Sequence, residues 1–186
     1  APNQVLATHM SNHEIFQLDR FAFRPGHDVE CCTGNANRIM PNYIARMWLS
    51  DGRGGVAAVL YGPCKLSAKV GDQQTPVTII EKTDFPFGET VEFEIQGDRP
   101  ARFPLQFRIP GWCAKPSLTI NGQAVDVALE TGKFARINRE FKSGDKLVLT
   151  LPMTVKISHW PNHGVALERG PLVYSLLIKE KRKIDP

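Results

Sequence analysis

Thr90-Val91-Glu92-Phe93-Glu94-Ile95-Gln96 alternates apolar and polar residues without a break, and Leu105-Gln106-Phe107-Arg108-Ile109 repeats the pattern a short way downstream. In an extended chain this places Val91, Phe93 and Ile95 on one side and Glu92 and Glu94 on the other, the signature of a half-buried antiparallel strand. Working outward, the same criteria predict strands near 56–61, 65–70, 77–82, 117–120, 134–139, 146–151, 155–159 and 172–178. Asn121-Gly122, between Leu118-Thr119-Ile120 and Ala124-Val125-Asp126-Val127, carries the signal of a type I′ hairpin. Short strands divided by turns, with no helices between them, predict two antiparallel sheets packed face to face over residues 52–178.

Before the turn cluster Ser50-Asp51-Gly52-Arg53-Gly54-Gly55 the pattern is different. Ile39, Tyr43, Ile44, Met47 and Trp48 recur at helical spacings. Pro41 disturbs the early part, so the regular helix is expected to start near Met40, with 35–39 as a tighter entry turn. Residues 1–34 show no sustained period and read as loop with short ordered pieces.

At 186 residues the chain holds one well-cored domain, or one domain plus a fragment, and excludes a complete helical-barrel enzyme. With 42% hydrophobic and 23% charged residues it is neither disordered nor fibrous. Its longest apolar runs fall short of the roughly 18 residues that cross a bilayer as a helix. No membrane partner is expected. The opening Ala1-Pro2-Asn3-Gln4 lacks a basic segment and an apolar stretch, and suggests a processed or truncated product. Of the net charge of +4, the tail Lys179-Glu180-Lys181-Arg182-Lys183 supplies +3. Without cations and aromatics spread over a folded face, nucleic acid is not an expected partner.

The chemistry concentrates in His27-Asp28-Val29-Glu30-Cys31-Cys32-Thr33-Gly34-Asn35. A thiol near a metal or a helix N-terminus ionises more readily and becomes a nucleophile, and zinc favours thiolate and imidazole ligands. A structural zinc site needs four ligands, and no second Cys-x-x-Cys or His-x-x-x-His completes one. Two small thiols buried under the helix account for the pair equally well. His9, His13 and Glu14 read as a solvated turn. His159 and His163 flank Trp160-Pro161-Asn162, where the Trp either stacks on a sugar or, more simply, packs on its own sandwich. Trp112 reads as a plug over one end of the sandwich and Trp48 as a core residue.

These blocks, together with Tyr43-Ile44-Ala45-Arg46-Met47-Trp48, Arg108-Ile109-Pro110-Gly111-Trp112, Gly144-Asp145 and Glu168-Arg169-Gly170-Pro171-Leu172-Val173-Tyr174, resemble the C-terminal part of glycoside hydrolase family 127, the β-L-arabinofuranosidase group, over residues 27–178. The resemblance implies a mainly β fold: an antiparallel, jelly-roll-like β-sandwich (52–178) preceded by a loop and one helix left from an (α/α)6 catalytic barrel (1–50), with 179–186 as a basic tail. It implies that Cys31 is the nucleophile and that Cys31 and Cys32 bind zinc in the complete enzyme. The remaining zinc ligands and the glutamate acid/base lie far upstream in the family, so neither Glu14 nor Glu30 takes those roles. It further implies a retaining glycosidase in which a thiolate stands where a carboxylate nucleophile usually stands, and an arabinofuranoside-type substrate bound through the missing barrel. The isolated chain is expected to be inactive and to self-associate through Ile39, Ile44 and Met47 on an exposed helix. The competing expectation is a free-standing sandwich that binds carbohydrate or protein.

Overall fold

The computed structural model describes residues 31–161 and 163–175, with side chains from Arg38 onward. The chain divides into two compact units, Ala1–Arg46 and Met47–Pro186.

In the first unit, helix α1 spans Cys31–Ile44 with Pro41 inside it. Its last turn closes through Ala45 N–H to Pro41 O (3.0 Å) and Arg46 N–H to Tyr43 O (3.0 Å). The Arg46 guanidinium donates to Asn42 Oδ1 (2.7 Å) and Asn42 O (3.3 Å), a cation placed where a helix C-terminus favours one. The helix thus begins well before Met40 and ends before Met47, in both respects unlike the spacing-based expectation. Sheet pairing overrides the spacing. Met47 O accepts from Val59 N (2.8 Å) and Leu60 N (3.3 Å), and Trp48 pairs with Ala58, which draws both residues into the second unit. Met47 is buried there, whereas Ile39 and Ile44 are exposed.

The second unit is built from three sheets. One contains β1 (Trp48–Ser50), β2 (Val56–Ala58), β6 (Ala101–Arg108) and β9 (Phe134–Phe141), in the order β1-β2-β6-β9. The second contains β3 (Cys64–Val70), β4 (Thr75–Thr83), β5 (Thr90–Gln96), β7 (Ser117–Ile120), β8 (Gln123–Ala124) and β10 (Lys146–Thr150), in the order β3-β4-β5-β10-β7-β8. The third is a meander of β11 (Val155–Trp160), β12 (Gly164–Arg169) and β13 (Leu172–Tyr174). Pairing is antiparallel except between β2 and β6, where Val56 faces Leu105 in parallel register. The short strands β1 and β12 are additions to the sequence-based set.

The alternation in β5 becomes burial: Val91, Phe93 and Ile95 are buried. They pack with Phe103, Leu105 and Phe107 of β6, and with Leu147 and Leu149 of β10, in one apolar core. Phe93 meets Phe107 at 5.0 Å between centroids, and Phe103 meets Phe141 at 4.9 Å. Tilted aromatic contacts at this range add attraction beyond area burial. The Asn121-Gly122 turn adopts φ of 52° and 79°, both left-handed as a type I′ turn requires, and joins Ile120 directly to its partner Gln123. Asn121 also bridges to β10, donating to Asp145 Oδ1 and accepting from Lys146 N, each at 2.9 Å.

The Glu168-Arg169-Gly170-Pro171 block ties the meander to the rest of the unit. Arg169 Nη2 donates to Glu89 Oε1 (2.7 Å), which also accepts from Met153 N (3.1 Å). Gly170 has φ of 58°, and a Cβ there would lie 2.6 Å from Met153 Sδ. Only glycine meets both conditions without strain.

Two stability measurements follow. Phe93→Ala should cost about 3–5 kcal/mol in urea unfolding, while Glu92→Ala on the opposite face should stay within about 0.5 kcal/mol. Gly170→Ala should cost about 1–3 kcal/mol through the left-handed backbone and the Met153 contact, and trimming residue 153 with Met153→Ala in the same chain should recover the steric part.

Candidate active-site segment and a buried carboxyl cluster

The two units each carry one candidate. In the first, Cys31 and Cys32 open α1 and so occupy its first turn. Backbone N–H groups at a helix start lack intrahelical acceptors and favour negative charge nearby. Thiolates suit zinc, but two ligands are half of a tetrahedral set. Among the described residues, no three His, Cys, Asp or Glu side chains converge as a metal site. His9, His13, Glu14, His27, Asp28 and Glu30 lie outside the described residues.

In the second unit the notable group is Glu81 on β4, with 2% of its surface exposed. Strand alternation puts it on the same side as Val77 and Ile79, both buried. Its carboxyl meets three donors. Trp48 Nε1 donates to Oε2 at 3.0 Å, Gly62 N donates to Oε1 at 3.0 Å, and Cys64 Sγ donates to Oε2 at 3.5 Å. Burial opposes ionisation more than these donors favour it, and the group is pushed up to about 7. Burial and the neighbouring Glu81 together push the Cys64 thiol up to about 11. Tyr61, whose hydroxyl donates to Arg108 O at 2.6 Å, is likewise raised, chiefly by burial. Sequence inspection passed over Glu81. The signal was present as a carboxylate standing at an apolar position of the strand alternation, a placement that burial rules penalise unless the group is partnered.

The remaining sequence candidates do not gather around either place. Trp112 is half-buried and stacks on Phe85 with centroids 6.4 Å apart, which fits a plug. Trp48 packs edge-on against Phe93 at 5.8 Å, as expected of a core residue, but from β1 and not from a helix. Trp160 ends β11 and is 61% exposed, with its indole N–H on Ser158 Oγ at 3.0 Å, so it does not pack on its own sandwich. His159 and His163 are exposed on either side of that turn. Cys113 is a buried free thiol.

The family model of the β-L-arabinofuranosidase GH127 middle domain matches residues 55–153. This chain belongs to glycoside hydrolase family 127. Solved structures agree on the GH127 fold. A GH127 β-L-arabinofuranosidase from Geobacillus stearothermophilus T6 is 29% identical over 77% of this chain and 23% of its own length, with a TM-score of 0.67. A second structure, described as a glycoside hydrolase, is 28% identical over 88% of this chain and 28% of its own length, with a TM-score of 0.69. A third, a GH127 β-arabinofuranosidase, is 25% identical over 82% of this chain and 27% of its own, with a TM-score of 0.67. The chain therefore spans about a quarter of the length of these structures. No curated protein matches it.

The Glu81 cluster predicts a pH dependence. Its pKa is raised in the folded chain to about 7 from an ordinary 4.5. The folded state therefore holds the proton more tightly, and the associated stability is full below pH 4.5 and lost as pH rises through 7. Urea midpoints should fall across this window, with up to about 3 kcal/mol lost, and Glu81→Gln should flatten that part of the profile.

Proposed function

We propose that this chain is the C-terminal portion of a retaining glycoside hydrolase of the β-L-arabinofuranosidase type, carrying its nucleophile segment and the sandwich that follows it. The observation that supports this most directly is the GH127 middle-domain match beginning at residue 55, just downstream of a helix headed by Cys31-Cys32. On this reading the carbohydrate partner is an arabinofuranoside, bound largely by parts of the enzyme outside these residues.

Cys31 is the proposed nucleophile. Its thiolate sulfur attacks the anomeric carbon, and a C–S bond forms as the glycosidic C–O bond breaks. The departing oxygen takes a proton from a carboxylic acid, which the family resemblance places upstream of this chain. Water then attacks the same carbon, gives its proton to the resulting carboxylate, and displaces the sulfur as thiolate. Two inversions at one carbon return the original configuration. Cys31 and Cys32 are the residues here that would hold a zinc ion, whose service when bound is to keep the thiol ionised and oriented. By itself the chain has a nucleophile without its proton donor and is proposed to be inactive. Ile39 and Ile44, exposed on α1, are the proposed surface for self-association.

Three measurements test this. In the complete enzyme, Cys31→Ser should lower kcat for an aryl β-L-arabinofuranoside by at least about a thousandfold; turnover within tenfold of the parent would remove Cys31 from the nucleophile role. The 186-residue chain alone, purified without an affinity tag, should release no aglycone and carry well under one zinc by elemental analysis. One zinc per chain with measurable binding of free oligosaccharide would favour a free-standing binding module instead.

A further inference from the structure

Strand β1 is the first strand of the sandwich unit and a lightly held edge strand. It has three residues, pairs only with β2, and exposes Leu49 and Ser50. Trp48 is its inward anchor, with its ring edge against Phe93 and its indole N–H on Glu81. The same carboxyl fixes Gly62, just past the Val59 and Leu60 amides that donate to Met47 O. Four stretches of chain, around 47–48, 59–62, 64 and 81, therefore converge on one buried acid that the proposed mechanism does not use.

We infer that Glu81 and Trp48 form a proton-dependent latch on the first strand of the sandwich, closed while the Glu81 carboxyl is neutral and loosened when it ionises.

The direction follows from linkage. With Trp48 docked, Glu81 is cut off from water; with Trp48 undocked, water reaches the carboxyl and its pKa falls back toward the ordinary carboxylate range. The docked state then binds the proton more tightly, and by reciprocity the proton favours docking. The groups that face Glu81 leave this balance intact. Cys64 on β3 and Tyr61 in the adjoining loop are both raised and stay neutral through the range, Phe93 on β5 is apolar, and Arg108 on β6 meets Tyr61, its carbonyl accepting from the hydroxyl and its positive charge opposing the upward shift of that hydroxyl without reversing it. Among the described residues, no cation contributes to the Glu81 shift. In the neutral form the Cys64 sulfur, 3.5 Å from Oε2, is placed to accept the carboxyl proton in place of donating to it.

The test uses the 186-residue chain with Trp112→Phe and Trp160→Phe, which leaves Trp48 as its single tryptophan. Acrylamide quenching of Trp48 emission should rise with a midpoint near pH 7, and Glu81→Gln in the same background should hold quenching low at every pH. A flat profile in the parent, or the same transition in Glu81→Gln, would overturn the latch. If either variant fails to fold, hydrogen exchange on the unsubstituted chain decides. After correction for the intrinsic rate, the Val59, Leu60 and Gly62 amides should lose up to about tenfold protection per pH unit between pH 4.5 and 7, levelling off above 7, while the Phe93 amide keeps its own. Unchanged protection, or loss in step with Phe93, would overturn it.

Discussion

Phe93 and Phe107 reach across from the six-stranded to the four-stranded sheet, and their contact carries the geometry of the sandwich. β5 lies between β4 and β10, and β6 lies between β2 and β9, so each Phe sits on an inner strand with neighbours on both sides. A face-to-face pair of sheets holds its register only if the inward residues of both interdigitate, and here Val91, Phe93 and Ile95 oppose Phe103, Leu105 and Phe107 as parts of one cluster. The rest is hung on this seam. Trp48 docks on Phe93, Tyr61 lies near both Phe93 and Phe85, and Phe85 in turn stacks on Trp112 at 6.4 Å.

The same seam explains which parts of the fold could be read from sequence. Alternation in β5 is a local property and survives in the folded chain residue for residue. The Asn121-Gly122 turn was legible because positive φ at two successive positions admits few residue types. The limits of α1 were not legible, since a spacing of three and four ran on from Ile39 and Ile44 into Met47 and Trp48, which are held by strand pairing and burial and not by a helix. The parallel β2–β6 pair joins segments far apart in the chain, and no local pattern encodes it. β12 escaped because Gly164 to Arg169 mixes small, apolar and charged residues, with Glu168 drawn to Lys156 and Ser158 on the neighbouring strand.

The candidate sites differ in legibility for a related reason. Cys31-Cys32 stood out as a cluster of chemically capable residues adjacent in sequence, and the structure places them at the head of α1. Glu81 belongs to a constellation assembled only by folding. Its donors come from positions 48, 62 and 64, and just one of these, Cys64, is its direct cross-strand partner. A search for neighbouring motif residues finds the first kind of site and overlooks the second.

The inferred latch and the helix that begins with Cys31 are joined by very little chain. α1 ends at Ile44 and Met47 is already held in the sandwich, so two residues, Ala45 and Arg46, connect the helix to its first anchor. At about 3.5 Å per extended residue, the free reach of that tether is on the order of 10 Å. If β1 lets go, the next held position is Asp51, whose carboxylate accepts from Gln106 Nε2 of β6 (3.3 Å), followed by Gly54, whose carbonyl accepts from Gly71 N (2.8 Å), and the tether grows to Ala45–Ser50, with a reach of roughly 20 Å. Loop entropy then works against any fixed placement of the helix, because the number of accessible end positions rises with tether length. On the latch inferred above, a single buried carboxyl therefore sets how much free chain lies between α1 and its first hold in the sandwich.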